Sequence, residues 1–133
     1  DSHNFTPIVR KSAKYLDKND FYPFRNKKSF FAMTGHVVYE KLDKVNTVTH
    51  SKKIIHYIRK VIGFKNILIS DDLSMKSLKE DMKTNTIKCF EAGCNLALHC
   101  NGNFNEMEIV ANNSPMINPF IIKKTSQFYK ILS

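Results

Sequence analysis

Ile67-Leu68-Ile69-Ser70-Asp71-Asp72-Leu73-Ser74-Met75 is an apolar run that ends at two adjacent carboxylates. Its aliphatic start, without a polar break, predicts a strand that is buried on both faces, as in parallel sheets. Asp71 would then lie where the strand ends. In α/β folds the carboxyl ends of the strands form the active-site face, which makes Asp71 a candidate for chemistry. A pair of aspartates after a strand also caps a following helix, and the spacing alone leaves both interpretations open.

Strand-like and helix-like segments alternate on both sides of this run. In chain order they are a strand at 30–34, a helix from Thr49 or Ser51 to Gly63, a strand at 67–70, a helical segment at 78–90 whose pattern Thr84-Asn85-Thr86 interrupts, a strand at 94–100, and helices at 106–111 and after Pro119. This order predicts an α/β fold built of βαβ units, with a parallel sheet and right-handed crossovers. No repeat or second domain is visible, so we expect residues 1–133 to form one domain.

Composition limits the class of protein. The 133 residues can bury a core but fall well short of the roughly 250 residues of a complete (β/α)8 barrel. No stretch approaches the ~20 apolar residues of a membrane span. The three cysteines are an odd number without a C-x-x-C pair, which favours buried thiols in a reducing compartment. We therefore expect a cytoplasmic protein without a membrane segment.

The net charge of +9 could indicate a nucleic-acid partner, because Lys and Arg release counterions from phosphate. The basic residues occur as doublets scattered along the chain, without one stripe that carries interleaved aromatics. They are typical of solvated surfaces, so we expect no nucleic-acid partner.

The histidines offer candidates for acid/base chemistry. Asp1 and His3 are two residues apart and can form a carboxylate–imidazole hydrogen bond, which fixes the histidine tautomer and raises its basicity. A disordered terminus is the alternative. His36 lies at a predicted strand end, where it would either line a pocket or serve the structure. The remaining histidines show no metal-ligand spacing, and we expect neither a metal nor a cofactor.

Five segments occur here in the order seen in glycoside hydrolase family 3 β-N-acetylhexosaminidases, which the chain resembles over nearly its whole length. They are Asp1-Ser2-His3, Ala32-Met33-Thr34-Gly35-His36-Val37, Ile58-Arg59 through Gly63-Phe64, Ser70-Asp71-Asp72-Leu73-Ser74-Met75, and Glu91-Ala92-Gly93-Cys94 with Leu98-His99-Cys100-Asn101-Gly102. The resemblance implies that the chain is the C-terminal part of a (β/α)8 TIM barrel, which is incomplete.

The resemblance also implies a mechanism and the residues that perform it. The family hydrolyses terminal β-linked N-acetylglucosamine with retention, as in peptidoglycan recycling, through a covalent glycosyl-enzyme intermediate. The first aspartate of its S-D-D-L segment is the nucleophile, a role that maps onto Asp71. Its Asp-x-His dyad maps onto Asp1 and His3. His3 would be the general acid/base, Asp1 would orient it, and the substrate would be a muropeptide or oligosaccharide that contains N-acetylglucosamine.

Departures from the family pattern set the limits of the resemblance. Asn95 stands where the family has Asp, and Asn66 stands where it has Gly. The family's sugar-binding aspartate, arginines and K-H-F-P-G-H-G segment precede the D-S-H loop and have no counterpart here. We therefore expect the chain to need the missing N-terminal half of the barrel as its partner and to be inactive alone. The competing interpretation is a non-catalytic fragment whose basic surface binds an acidic partner.

Overall fold

A computed structural model describes residues 3–132 of the chain. Its centre is a three-stranded parallel sheet formed by β2 (Phe31–Met33), β4 (Ile67–Asp72) and β5 (Leu96–Leu98), with β4 in the middle. A second, two-stranded parallel sheet pairs β1 (Ile8–Val9) with β3 (Val38–Tyr39). All the strand pairs among the described residues are parallel, so the carboxyl ends of β2, β4 and β5 lie at one edge.

Helices alternate with the strands of the central sheet, which confirms the predicted α/β class. They are α1 (Ala13–Lys18), α2 (Lys52–Tyr57), α3 (Met82–Ala92), α4 (Phe104–Asn112) and α5 (Pro119–Leu132). A π-helical turn at Ile58–Ile62 continues α2, and short 3-10 turns lie at Tyr22–Phe24 and Val48–His50. None of the described helices is both long and apolar enough to cross a bilayer.

The α2 segment begins and ends where its sequence predicts. Ser51, one of the two predicted N-caps, accepts a hydrogen bond on Oγ from the Ile54 N–H at 3.1 Å. The segment ends at Gly63, whose φ of 84° is left-handed and favours glycine. Thr49, the other predicted cap, is fully buried and bonds to side chains elsewhere.

The region after β4 differs from the prediction at two points. The strand continues through both aspartates to Asp72, and α3 is capped by Asp81, whose Oδ1 accepts from the Thr84 N–H at 2.9 Å. The helix-cap interpretation of the aspartate pair therefore does not hold. The predicted interruption at Thr84-Asn85-Thr86 is also wrong, because α3 is continuous there. Two of its polar side chains bond to nearby backbone carbonyls: Thr86 Oγ1 donates to Met82 at 2.7 Å, and Asn85 Nδ2 donates to Glu80 at 2.9 Å.

The N-terminal third contains a pairing that the sequence analysis missed. The predicted strand at 30–34 stops at Met33, and a separate strand, β3, follows after Gly35-His36. This short strand pairs with β1, whose residues had no predicted element. Two-residue strands carry too little periodicity to be recognised in a sequence.

The two faces of the central sheet have different surroundings. Leu68, Ala32 and Ala97 pack into the main core, which lies between the sheet and the helices and includes Val48, Ile54, Ile55, Phe64, Leu73, Leu78, Cys89, Ala92 and Cys94. Because side chains alternate along a strand, Ile67 and Ile69 belong to the opposite face. The register with β5 shifts between Ile69 and Asp72, and there Ser70 is fully buried whereas Asp71 is partly exposed, which places Asp71 on the opposite face as well. Met33 lies on that opposite face and is 58% exposed, so the sheet is open to solvent at the carboxyl end of β2.

Candidate active site

Asp71 lies at the carboxyl end of β4, on the sheet face that points away from α2 and α3. Its Oδ1 accepts a hydrogen bond from the N–H of Asp72 at 2.9 Å. Within residues 3–132 its second carboxylate oxygen has no hydrogen-bond partner. Asp71 is half-buried, so it remains in contact with solvent.

Asp72 has its carboxylate fully occupied. Oδ1 accepts from the N–H groups of Ser74 and Cys100, each at 3.0 Å, and Oδ2 accepts from the Ser74 hydroxyl at 2.7 Å. Burial opposes ionisation of this carboxyl, but the hydrogen bonds from Ser74 and Cys100 outweigh it and hold the pKa of Asp72 below its usual value. Asp72 therefore ties the loop after β4 to the end of β5.

His36 is fully buried beside the end of β4. Its Nδ1 lies 2.9 Å from Thr49 Oγ1 and its Nε2 lies 2.8 Å from the carbonyl oxygen of Asp72. Burial lowers the pKa of His36 and favours the neutral ring. Of the two interpretations that the sequence left open, this environment supports the structural histidine over the pocket-lining one.

The N-terminal segment reaches the same edge of the sheet as Asp71. Thr6 Oγ1 donates to the carbonyl of Ser77, in the loop that follows β4, and the Val38 N–H donates to the carbonyl of Pro7 at 2.9 Å. His3 lies in an exposed turn three residues before Thr6, and three residues span at most about 11 Å. Asp1 lies outside the described residues, so the Asp1–His3 pair and its approach to Asp71 stay predictions.

A second carboxylate–imidazole pair follows β5, and the sequence analysis did not single it out. His99 Nε2 donates to Glu106 Oε2 at 2.9 Å, and Asn101 Nδ2 donates to the same oxygen at 2.7 Å. The two hydrogen bonds lower the pKa of Glu106. The His99 side chain is only 6% exposed and follows Ala97 on the helix side of the sheet. The pair therefore fastens the start of α4 to the end of β5.

The opposite edge of the sheet explains one departure from the family pattern. Asn95 Oδ1 accepts from the Leu68 N–H at 2.9 Å and from Arg59 Nη2 at 2.7 Å. Arg59 Nη1 also donates to the Asn66 carbonyl at 2.6 Å. An amide oxygen serves as the acceptor that an aspartate would provide, so Asn95 keeps the link between β4, β5 and the end of the α2 segment.

An apolar cavity and the distribution of possible metal ligands were also compared with the position of Asp71. A mainly apolar cavity of about 270 Å³ lies between β2 and α2, and its lining includes Ile54, Phe64 and Leu68. Asp71 does not border this cavity. Within residues 3–132 no group of three or more His, Cys, Asp or Glu side chains is placed to hold a metal ion.

Comparisons with known proteins identify relatives along nearly the whole chain. The sequence model described as the glycosyl hydrolase family 3 N terminal domain matches residues 1–119. A β-hexosaminidase of Psychromonas ingrahamii is 31% identical over 137 aligned positions, which cover 98% of this chain and 39% of the relative. The crystal structure of NagZ from Neisseria gonorrhoeae in complex with N-trifluoroacetyl-D-glucosamine superposes with a TM-score of 0.79 at 28% identity, over 95% of this chain and 37% of that one. CbsA from Thermotoga neapolitana gives a TM-score of 0.79 at 26% identity, over 100% of this chain and 34% of that one.

The chain thus spans about two fifths of the Psychromonas relative and is a part of a barrel domain. The sequence predicted the C-terminal portion of the family's barrel. That prediction is corrected, because the family model that matches the chain describes an N-terminal domain. Motifs in order along a chain identify a family, but they carry no information on which end of a whole protein their domain occupies.

Proposed function

Since the chain belongs to glycosyl hydrolase family 3, we propose that it supplies the nucleophile of a retaining β-N-acetylhexosaminidase that cleaves terminal β-linked N-acetylglucosamine. The observation that carries the proposal is the contrast between Asp71 and Asp72. Asp71 lies on the open face at the carboxyl end of β4 with one oxygen unpartnered among the described residues, whereas both oxygens of Asp72 are bound. A nucleophile needs such an accessible lone pair.

In the proposed reaction an Asp71 oxygen attacks the anomeric carbon as the bond to the leaving oxygen breaks. His3 gives its proton to that oxygen, and Asp1 holds the imidazole in the orientation required. In the second step His3 takes a proton from water, which attacks the anomeric carbon and releases Asp71. The attachment of the N-terminal segment to the loop after β4, through Thr6 and Ser77, supports a place for His3 at this edge.

The proposed substrate class, sugars that end in N-acetylglucosamine, is inferred from the chain's relatives. The gonococcal NagZ structure holds an N-acylated glucosamine, which supports an N-acetylglucosamine end group in a muropeptide or oligosaccharide. The three cysteines of the chain are free thiols, as a reducing, cytoplasmic compartment would keep them. The remaining strands of the barrel are the partner that the open sheet requires.

The experiment uses a chimera in which this chain replaces its matching segment in the Psychromonas ingrahamii β-hexosaminidase. Hydrolysis of an aryl β-N-acetylglucosaminide is measured for the chimera and for its Asp71→Asn and Asp72→Asn variants. We expect Asp71→Asn to abolish turnover and to leave substrate binding largely intact, because the amide cannot form the glycosyl ester. Asp72→Asn is the matched control and should keep measurable activity.

Two results would contradict this assignment. Undiminished activity in Asp71→Asn would show that Asp71 is not the nucleophile. Loss of activity confined to Asp72→Asn would assign that role to Asp72. An inactive chimera that is retained on DNA in a salt-dependent way would favour the non-catalytic alternative instead.

A further inference from the structure

Three buried side chains form a hydrogen-bonded series that ends on the backbone of β4 beside Asp71. Thr34 Oγ1 lies 2.9 Å from Thr49 Oγ1, which lies 2.9 Å from His36 Nδ1. His36 Nε2 lies 2.8 Å from the carbonyl oxygen of Asp72. Thr34 is 4% exposed, and Thr49 and His36 are 0% exposed, so water does not compete for these bonds. We call this set the threonine–histidine relay.

The direction of every bond in the relay follows from its end point. A carbonyl oxygen only accepts, so His36 Nε2 carries the hydrogen. Burial keeps the ring neutral by lowering its pKa, which leaves Nδ1 as an acceptor for the Thr49 hydroxyl. Thr49 Oγ1 in turn accepts from the Thr34 hydroxyl. Thr49 Oγ1 also lies 3.5 Å from the Gly35 carbonyl oxygen, a longer contact than the other two. The set joins the residue that follows β2, the turn at Val48–His50 and the end of β4.

The relay holds the carbonyl of Asp72, the residue whose N–H bonds to the Asp71 carboxylate. The N–H of Asp72 donates to the Asp71 carboxylate, and its side chain is held by Ser74 and Cys100. Its carbonyl accepts from His36 and also from the N–H of Met75 at 3.2 Å. With His36 removed, the carbonyl would keep only the longer of its two bonds, and the end of β4 would lose its link to β2 through side chains.

We propose that His36 is a positioning residue for Asp71: by fixing the Asp72 carbonyl it holds the end of β4 so that the Asp71 carboxylate stays aimed at the anomeric carbon. This inference rests on the proposed function, since it assigns a purpose to the geometry around the nucleophile. Misplacement of a reacting group by about 1 Å can cost on the order of 100-fold in rate, so the relay would affect turnover more than binding.

The chimera provides the test, with two substitutions at the same position. His36→Leu removes the donor, whereas His36→Gln keeps an N–H that can reach the Asp72 carbonyl. For His36→Leu we expect kcat to fall by roughly 10- to 100-fold with little change in KM. His36→Gln should restore most of that loss, which a merely space-filling role would not predict.

His50→Leu is the matched control. His50 is a second, half-buried histidine, and its Nε2 donates to a backbone carbonyl of α3, that of Asn85 at 3.2 Å, and not to β4. His50→Leu should lower the melting temperature but leave kcat near the wild-type value. A similar fall of kcat in His50→Leu and His36→Leu would show that general destabilisation causes the loss, and it would overturn the proposal.

Thr49 supplies a second pair of variants if His36→Leu does not fold. Thr49→Val keeps the shape but loses the hydroxyl that orients His36, and Thr49→Ser keeps it. We expect kcat to fall in Thr49→Val and to be retained in Thr49→Ser. Wild-type kcat in Thr49→Val or in His36→Leu, or equal losses in the two His36 variants, would overturn the positioning role while leaving the proposed function standing. An inactive wild-type chimera would instead refute the proposed function, and the positioning role with it.

Discussion

Asp71 and Asp72 are chemically identical neighbours with different surroundings, and the difference follows from the direction of each side chain at the end of β4, where the register with β5 shifts. Consecutive side chains of a strand point to opposite faces. Asp71 therefore reaches the open face, while Asp72 reaches the loop that joins β4 to α3 and the end of β5. Periodicity in the sequence indicated a buried strand that ends in carboxylates, but only the family resemblance chose between the two.

Replacement of Asp72 by Ala should destabilise the chimera. It removes three hydrogen bonds and leaves the N–H groups of Ser74 and Cys100 without that acceptor. We expect the free energy of unfolding to fall by about 1–3 kcal/mol, the usual cost of such a loss, as measured by urea denaturation. Ser74→Ala in the Asp72→Ala background should add little, because the two side chains bond to each other. Fully additive losses would contradict this coupling.

Acid should destabilise the fold through its buried histidines. Burial lowers the pKa of His50 from 6.5 to about 4, and it lowers the pKa of His36 as well. Above pH 6.5 both rings are neutral in the folded and unfolded chains. As the pH falls from 6.5 towards 4, the unfolded chain binds protons that the folded chain does not bind, so the free energy of unfolding decreases.

Urea denaturation of the chimera at several pH values measures this dependence. In His50→Gln the fall between pH 6.5 and 4 should be shallower than in the wild type, because one of the two histidines with a lowered pKa is gone. The comparison is between slopes and not between stabilities, so a uniform loss in the variant does not matter. Parallel curves for the two proteins would contradict the role of His50.

Among the elements, α2 and α3 both end at a glycine with left-handed backbone, and the two glycines differ in their surroundings. Gly93 has φ 115°, and a Cβ added there would lie 3.0 Å from Ile55 Cγ2 in α2. Gly63 has φ 84°, and an added Cβ would meet nothing within 4 Å. Gly63→Ala is therefore a matched control for the backbone cost alone.

We expect Gly63→Ala to lower the free energy of unfolding by about 1–2 kcal/mol, the cost of a left-handed alanine. Gly93→Ala should cost more, because the contact with Ile55 adds to the backbone strain. Denaturant titration of the two chimera variants measures the difference. Equal losses would show that α2 moves away from the end of α3 without resistance.

Elements with strong local signals were predictable from the sequence, and the others depend on tertiary contacts. The Ser51 hydroxyl caps the start of α2, and the two helix-ending glycines allow the left-handed backbone that ends a helix. Both effects depend on one residue and its immediate neighbours. The β1–β3 pair depends on contacts between distant segments, since the Val38 N–H bonds to Pro7 and Thr6 bonds to Ser77. The start of α3 was placed too early because the apolar residue Leu78 packs into the core from a loop.

The candidate site, like the helices and strands, was predictable only in part from the sequence. Asp71 was found from the end of an apolar run, and its role came from the resemblance. The His99–Glu106 pair and the threonine–histidine relay were not predicted, because their members are separated by turns whose path the sequence does not specify. Neutral hydrogen-bonding residues such as Thr34 and Thr49 also carry no spacing signal of their own.

At the scale of the whole molecule, the sheet is incomplete in the described chain. Both β2 and β5 are edge strands with β4 as their neighbour in the central sheet. Large apolar side chains are exposed in the described chain, among them Met33, Phe104, Met107 and Met116. Exposed edges and apolar patches favour association with further strands.

The isolated chain should not hydrolyse an aryl β-N-acetylglucosaminide. Proper placement of the sugar can contribute up to roughly 7–11 kcal/mol to catalysis, and the family's sugar-binding segment has no counterpart in this sequence. Titration with the separately expressed remainder of the Psychromonas ingrahamii relative should make activity appear in proportion to complex formation. The same titration with the Asp71→Asn chain is the control. Robust turnover by the chain alone would show that its binding residues lie within these 133 residues.

Covalent trapping tests whether Asp71 is the nucleophile. The chimera is incubated with a fluorinated N-acetylglucosamine derivative that carries a good leaving group and forms a long-lived glycosyl-enzyme, and its peptides are analysed by mass spectrometry. We expect one sugar on the peptide that contains Ile67–Asp72, with fragment ions that place it on Asp71 and no adduct in Asp71→Asn. A sugar attached to Asp72 or to another residue, or turnover without any adduct and with inverted product, would contradict it.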